Sequence, residues 1–162
     1  MIPLHPHPLR GFDYKGHTYY SLTWNCDYRE PFFKQSDRVN LVWQQFLRAS
    51  AETDIVIDAY CFMPDHVHKL VHGQTLEANA KDYMRRAKQY SGFYFSKGFK
   101  TKLWQRYGYD HILRRDDEPR KTVRYIIENP VRRGLVAKPE DYPYTGSAIY
   151  TVQQLLEWAY SV

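Results

Sequence analysis

The 162-residue sequence lacks the features that mark secreted and membrane proteins. It has only two cysteines, Cys26 and Cys61, which are too few for a disulfide framework and are not in a CxxC spacing. It has no apolar run near the ~18 residues of a membrane span and no apolar stretch typical of a signal peptide. We therefore expect a soluble, cytoplasmic protein with reduced thiols and no membrane partner.

Positive charge and aromatic residues are abundant instead. The formal net charge is +5, and residues 81–138 carry sixteen Lys and Arg against six Asp and Glu. Fifteen tyrosines, eight phenylalanines and four tryptophans accompany this charge. Rings beside cations are typical of surfaces that bind unstacked bases and phosphates. The same composition also fits an aromatic core with solvated helix faces, so composition alone leaves both interpretations open.

The length favours one domain with short extensions. Residues 1–16 are rich in proline and show no periodicity, which predicts an extended N-terminal arm. Residues 17–147 form the main domain, and residues 148–162 form a C-terminal tail that includes an amphipathic stretch, Val152 to Trp158.

Within the main domain, hydrophobic periodicity alternates between that of strands and that of helices. The turn residues Pro64 and Asp65 separate two strand patterns and predict an antiparallel hairpin. The predicted elements are a strand at 17–26, a helix from Ser36 or Asp37 to about Ala51, strands at 54–62 and from His66 onwards, a helix from about Leu76 to Phe95, a strand at 109–113, and a helix capped by Asp116 and Asp117 that ends at Pro130.

Two histidines stand at the start of the second hairpin strand. Because side chains alternate along a strand, His66 and His68 point to the same face, roughly 7 Å apart. Two imidazoles so placed can bind one divalent cation and leave its other positions open. By itself the pair also fits two histidines on a half-exposed strand. His72 shares this face but lies roughly 20 Å from His66 along the strand, too far to bind the same ion, and Lys69 faces the opposite side.

The last predicted helix carries a second set of candidate residues. Its apolar stripe includes Val123, Ile126 and Ile127, and Tyr125 lies about 150° from the centre of that stripe at 100° per residue. Asn129, four residues on, is expected to share the face of Tyr125. The sequence thus offers a phenol and an amide ligand on one helix, away from its core side.

Four stretches together resemble the REP-associated tyrosine transposases, single-tyrosine members of the HUH nuclease superfamily (IS200-like): MPDHVHKLV, LWQRYGYDHILRRDDE, YIIENPVRRGLV and PEDYPYTGS. The resemblance implies a ferredoxin-like α+β fold, an antiparallel sheet with the HUH pair on a central strand and helices packed against it. It also implies that His66, His68 and Asn129 bind Mg²⁺ or Mn²⁺ and that Tyr125 is the nucleophile. The sequence departs from the family at Asp65, where asparagine is frequent, and at Lys69, where an apolar residue is common.

The family resemblance implies a metal-dependent single-strand DNA endonuclease and strand transferase that forms a 5′-phosphotyrosine at hairpins of palindromic repeats. The expected partner is single-stranded or hairpin DNA, bound by a monomer or homodimer. An alternative is a domesticated DNA-binding protein on the same fold without turnover. A two-histidine RNA phosphoesterase is disfavoured, since the sequence has no second His-x-Thr/Ser motif. The basic residues expected to contact phosphates are Lys81, Arg85, Arg86, Lys88, Arg114, Arg115, Arg120, Lys121, Arg124, Arg132 and Arg133.

Overall fold

The structure, a computed structural model, describes residues 13–107, 109–113 and 118–161. The regular elements are, in chain order, β1 (Tyr19–Asn25), α1 (Ser36–Thr53), β2 (Ile55–Met63), β3 (His66–Gly73), α2 (Ala80–Phe99), β4 (Tyr109–Ile112), α3 (Pro119–Arg132), β5 (Thr145–Gly146) and α4 (Val152–Ala159). Two 3-10 turns, Asp27–Arg29 and Phe32–Lys34, connect β1 to α1.

The strands form one antiparallel sheet in the order β4-β1-β3-β2-β5. The chain order β–α–β–β–α–β, with β1 and β3 inside and β2 and β4 outside, is the ferredoxin-like arrangement. The predicted fold class is therefore confirmed. The two-residue strand β5 extends the β2 side of the sheet, and a strand so short leaves no periodic signal in the sequence.

Strand β3 lies at the centre of the sheet, between β1 and β2. The Pro64–Asp65 turn joins β2 to β3 and places Met63 opposite His66, as the hairpin prediction requires. Across β1, Asn25 pairs with His66 and Thr23 with His68. We call the side of the sheet that carries His66 and His68 the histidine face, and the side that carries Lys69 the aromatic face.

The aromatic face is covered by α1 and α2 and contains the larger core. Trp24, Phe46 and Trp104 stack or meet edge-on with ring centroids 5.5–6.2 Å apart. Lys69 is fully buried among these rings, with Nζ 3.5 Å from the Trp24 ring centroid and 3.6 Å from that of Phe46. Burial lowers the pKa of Lys69 well below its ordinary value. The prediction that Lys69 points away from the histidines is confirmed.

The histidine face is covered by α3 and α4 and contains a smaller apolar cluster. Val123, Ile126 and Ile127 of α3 are buried in one cluster with Leu70 of β3 and Leu155 of α4. These α3 residues are the predicted apolar stripe, which faces the sheet as expected. The packing holds α3 beside β2 and β3, and so places the outer side of α3 next to the histidine pair.

Two helix boundaries differ from prediction. Helix α2 begins at Ala80 rather than near Leu76, because the Asn79 side chain caps it by accepting a hydrogen bond from the Asp82 amide at 3.0 Å. Leu76, predicted to be buried in this helix, is 74% exposed in the preceding turn. Helix α2 also runs to Phe99, one turn beyond the predicted end.

Helix α3 continues through Pro130 to Arg132, so the prediction that this proline ends the helix is wrong. Proline removes one amide donor, but the remaining groups close the last turn: the Arg133 amide donates to the Asn129 carbonyl at 3.0 Å and the Leu135 amide to the Pro130 carbonyl at 2.9 Å. At the other end Glu118 is the N-cap. The predicted cap residues Asp116 and Asp117 lie outside the described residues.

The extensions are described in part. Residues 1–12 of the predicted arm lie outside the described residues, while Tyr14 is buried against the aromatic core and Lys15 forms an isolated bridge with Asn79. The predicted C-terminal helix corresponds to α4, which packs on α3. The domain boundaries at 16 and 147 stay predictions. In the described ranges, no helix is long and apolar enough to cross a membrane.

Candidate active site

The two histidines of β3 converge on one point. Their Nε2 atoms are 3.0 Å apart, and the ring centroids lie 4.7 Å apart with the planes at 90°. His66 is 5% exposed and His68 is half-buried. Strand alternation places the rings on one face, and the turn at Pro64–Asp65 holds them at the end of the sheet.

The outer ring nitrogens are held by neighbouring side chains. His66 Nδ1 donates to Asp65 Oδ1 at 2.6 Å, which leaves the His66 Nε2 lone pair directed at the shared point. His68 Nδ1 lies 2.9 Å from Thr23 Oγ1. Because a hydroxyl can donate or accept, His68 can present Nε2 either as a donor to His66 or as a second lone pair. The second state is the one that a bound cation requires.

The surroundings of both histidines favour the neutral form. Burial lowers the pKa of His66, and the hydrogen bond and charge of Asp65 oppose this only in part. Burial also lowers the pKa of His68 to about 3, and the nearby positive charges of Arg132 and Arg133 add to the effect. For Asp65, burial opposes ionisation, but hydrogen bonds from Arg29 and His66 outweigh it and lower its pKa. Neutral imidazole is the form that binds metal ions.

Tyr125 stands beside this pair, on α3. Its ring centroid lies 6.0 Å from that of His68 in an edge-to-face arrangement, and the side chain is 56% exposed. Arg132, nearly two turns further along, places its guanidinium 4.2 Å from the Tyr125 ring centroid and donates to the Tyr125 carbonyl at 2.6 Å. This exposed position agrees with the prediction that Tyr125 lies off the apolar stripe of its helix.

Asn129 lies only four residues from Tyr125 but is buried, so the prediction that it lies away from the core side of the helix is wrong. Over four residues of a helix the side-chain direction rotates by about 40° more than one full turn, and this rotation brings Asn129 towards the sheet. It is 3% exposed, and among the described residues its Nδ2 atom has no hydrogen-bond partner. A half-turn of the amide exchanges its oxygen and nitrogen, so the unpartnered end can present an oxygen to a cation.

These side chains fit a divalent cation. The two convergent Nε2 atoms of neutral imidazoles are ligands of the type that first-row divalent ions accept. The buried amide on the neighbouring helix has an unpartnered end, and an amide oxygen there is a ligand of the type that Mg²⁺ and Mn²⁺ accept. In the described ranges, no three His, Cys, Asp or Glu side chains form a ready-made metal cage. Among the residues that the structure describes, a third protein ligand would therefore be of another type, such as an amide.

His72 and Asp58 form a separate pair on the histidine face. His72 Nδ1 donates to Asp58 Oδ2 at 2.6 Å, and the His72 ring packs 4.8 Å from that of Tyr19. Asp58 is 2% exposed and lies where the β2–β3 register shifts. These contacts agree with a structural role for His72.

Most of the predicted phosphate-binding residues that the structure describes are engaged with carboxylates. The paired residues, with their partners, are Arg85 and Arg86 with Asp82, Arg120 and Lys121 with Glu118, and Arg124 and Arg132 with Glu128. Arg133 is exposed at the end of α3, close enough to lower the pKa of His68. Arg114 and Arg115 lie outside the described residues.

The structure adds residues that were not nominated from the sequence. Thr23 and Asp65 contact the histidine pair directly, and Arg29 contacts it through Asp65. A cleft between α2 and residues 102–106 is lined by Lys88, Lys102 and Arg106 together with Trp104. The position of Asp65 directly before His66 was a usable signal. The others come together only through strand pairing and packing.

Comparisons with known proteins agree with this geometry. The family model described as "Transposase IS200 like" matches residues 14–129. The REP-associated tyrosine transposase of Escherichia coli K12 is 27% identical over 100 residues, which are 61% of this chain and 58% of that protein. A relative from Haemophilus influenzae is 29% identical over 102 residues, 54% of this chain and 56% of that protein. The chain thus spans little more than half the length of these relatives.

Among solved structures, one of a REP-associated tyrosine transposase bound to a REP hairpin matches with a TM-score of 0.70 at 21% identity, over 86% of this chain and 81% of that one. This likeness shows a shared fold. The family model covers well over half of the chain and spans His66, His68, Tyr125 and Asn129. The protein therefore belongs to the IS200-like transposase family.

Proposed function

We propose that this protein is a metal-dependent single-strand DNA endonuclease and strand transferase that forms a 5′-phosphotyrosine through Tyr125. The observation that carries the proposal is the 6.0 Å separation between the Tyr125 and His68 rings, which brings an exposed phenol beside two convergent imidazoles. A protein that only binds DNA has no need of this arrangement. The same proximity within one chain favours a site completed in cis.

The reaction is a transesterification at phosphorus. Tyr125 Oη attacks the scissile phosphate and forms a P–O bond, while the bond to the 3′ oxygen breaks. The phenol proton is lost to solvent, and the departing 3′ oxygen takes up a proton and becomes a hydroxyl. In the reverse sense, a 3′-hydroxyl attacks the phosphotyrosine and releases Tyr125. Bond energy is conserved in the link, so joining needs no nucleotide triphosphate.

His66, His68 and Asn129 would hold the divalent ion, for which Mg²⁺ or Mn²⁺ is the proposed choice. When bound there, the ion supplies Lewis-acid stabilisation of the charge that develops on the phosphate. The protein contributes neutral imidazoles in fixed orientation, and Arg132 and Arg133 add positive charge next to His68. These cations favour an anionic backbone at the site.

The proposed substrate is hairpin DNA with single-stranded flanks. The solved relative was bound to a REP hairpin, and the cleft lined by Lys88, Lys102 and Arg106 presents cations that suit a phosphate backbone. Cations and aromatic rings together suit unstacked bases, which a single-stranded flank presents and a duplex does not.

The test is to trap a covalent adduct. End-labelled hairpin oligonucleotides with single-stranded flanks, drawn from palindromic repeats of the source genome, are incubated with the full chain and Mn²⁺, and the products are separated under denaturing conditions. We expect the protein to be linked to the fragment on the 3′ side of the cut, through the 5′ phosphate of that fragment, so that a 3′-end label migrates with the protein until protease removes it. Tight binding without any adduct, over a panel of hairpins and with both Mg²⁺ and Mn²⁺, would favour the non-catalytic alternative.

A further inference from the structure

We propose that Asp65, held in place by Arg29, is a positioning residue that fixes His66 for metal binding. The inference deepens the proposed function and rests on it. Asp65 Oδ1 accepts the His66 Nδ1 proton at 2.6 Å, and Asp65 Oδ2 accepts a hydrogen bond from Arg29 Nε at 2.9 Å. The two carboxylate oxygens therefore face different partners, and the three side chains form one chain of hydrogen bonds that ends at the site.

The backbone around Arg29 is strained in a way that serves this contact. Tyr28 and Arg29 are consecutive non-glycine residues with φ of 52° and 54°, in the left-handed region that disfavours side chains. Arg29 and Asp65 are 49% and 29% exposed, and an ion pair so exposed returns little stability. Since the stability of this ion pair does not account for the strain, we infer that the contact between Arg29 and Asp65 is functional.

The turn itself does not depend on the Asp65 carboxylate. The Cys26 amide donates to the Asp65 carbonyl at 2.9 Å, and the Phe33 amide donates to the Pro64 carbonyl at 2.9 Å. These backbone bonds tie the segment after β1 to the hairpin turn. The carboxylate is thus not needed to form the turn. Through Oδ1 it holds the His66 Nε2 lone pair towards the site, orients the ring and raises its basicity as a ligand.

The decisive measurement is Mn²⁺ affinity of the full chain without DNA, by calorimetry and electron paramagnetic resonance. We expect Asp65→Ala to weaken binding about 10–100-fold. Asp65→Asn retains an acceptor oxygen and should lose less than Asp65→Ala. The matched control is Asp82→Ala, since Asp82 is also an arginine-paired carboxylate with 28% exposure but lies on α2. The control should stay within about twofold of the wild type.

A second readout separates positioning from folding. The ¹⁵N spectrum of histidine in the wild type should show His66 protonated at Nδ1, and Asp65→Ala should shift it towards a mixture of tautomers while melting behaviour is retained. If Asp65→Ala fails to fold, Asp65→Asn and Arg29→Gln take its place, with weaker Mn²⁺ binding expected for each.

The possible failures are distinguishable. If the wild type does not bind Mn²⁺, the metal-dependent function and this inference both fall. If the wild type binds but the folded Asp65 variants bind equally well, the inference alone is wrong.

Discussion

The two faces of strand β3 place ionisable residues in opposite settings. On the histidine face, His66 and His68 converge beside an exposed tyrosine, and hydrogen bonds from neighbouring side chains set their orientation. On the aromatic face, Lys69 is buried among Trp24 and Phe46 and donates to the Tyr83 hydroxyl at 2.9 Å. Two adjacent residues of one strand thus have different surroundings, since His68 faces the candidate active site and Lys69 lies in the core.

The difference lies in the partners rather than in burial. His66 and Lys69 are both less than one-tenth exposed. The histidine pair keeps lone pairs directed at a shared point, whereas the lysine amine is enclosed by ring faces and donates to a hydroxyl. We therefore expect substitutions on the histidine face to remove activity with little change in stability, and substitutions of Lys69 to do the reverse.

The largest expected effect is that of Tyr125→Phe. Removing the hydroxyl removes the nucleophile, so cleavage and covalent adduct should fall by at least about 10³-fold. The side chain is 56% exposed, so folding and single-strand binding should persist. Gel assays with labelled hairpins and mass spectrometry of the wild-type adduct provide the measurement. Tyr94→Phe on α2 is the control, and an adduct on any tyrosine other than Tyr125 contradicts the assignment.

The second largest expected effect is the loss of cleavage when either imidazole is removed. His66→Ala or His68→Ala should reduce cleavage by about 10²-fold or more, the scale of several kcal/mol of transition-state charge stabilisation. Excess EDTA should have the same effect on the wild type. Asn129→Ala should weaken cleavage less and recover in part at high Mn²⁺. Undiminished cleavage by the double histidine variant, or in excess EDTA, would rule out a metal mechanism.

On the aromatic face, Lys69 should control stability instead. Lys69→Ala leaves a cavity between aromatic rings and should lower the free energy of unfolding by about 2–5 kcal/mol. Lys69→Met retains most of the side-chain volume and should cost less. Both variants, when folded, should cleave at close to the wild-type rate. Urea denaturation and the cleavage assay together check this. A large loss of cleavage in folded Lys69→Met would contradict the expectation that Lys69 affects stability and not activity.

The smallest expected effect concerns Asp58, a buried carboxylate on the histidine face but outside the site. Burial raises its pKa, against the opposing hydrogen bond from His72. As pH rises above 3.8, the unfolded state loses this proton first. The contribution of Asp58 to stability is therefore fully present below that pH and falls above it, by at most about 1.4 kcal/mol per pH unit.

Asp58→Asn lacks this titration. The stability of the wild type relative to Asp58→Asn should therefore decrease as pH rises from 3.8 to the folded-state pKa and be constant above it. Urea denaturation of both proteins between pH 3.5 and 7 measures the difference. A difference that rises with pH over this range would mean that the carboxyl pKa is lowered in the folded state.

Much of the fold and of the candidate site was predictable because the signals are local. The turn at Pro64–Asp65, the alternation that separates His66 and His68 from Lys69, and the apolar stripe of α3 each depend on neighbouring residues. The predicted helix boundaries were wrong where a single side chain sets the helix start, as Asn79 does for α2, or where a helix continues through a proline, as α3 does at Pro130.

The sequence by itself determined which residues share a face of a strand or helix, since the periods of 2 and 3.6 residues follow from backbone geometry alone. Only the tertiary structure decided that Tyr125 lies beside His68, that Asn129 is buried, and that Arg29 reaches Asp65. Those contacts join elements far apart in the chain, and their distances depend on how α3 packs on the sheet and how the segment after β1 is tied to the hairpin. Such packing depends on many side chains at once, which a reading of local pattern does not resolve.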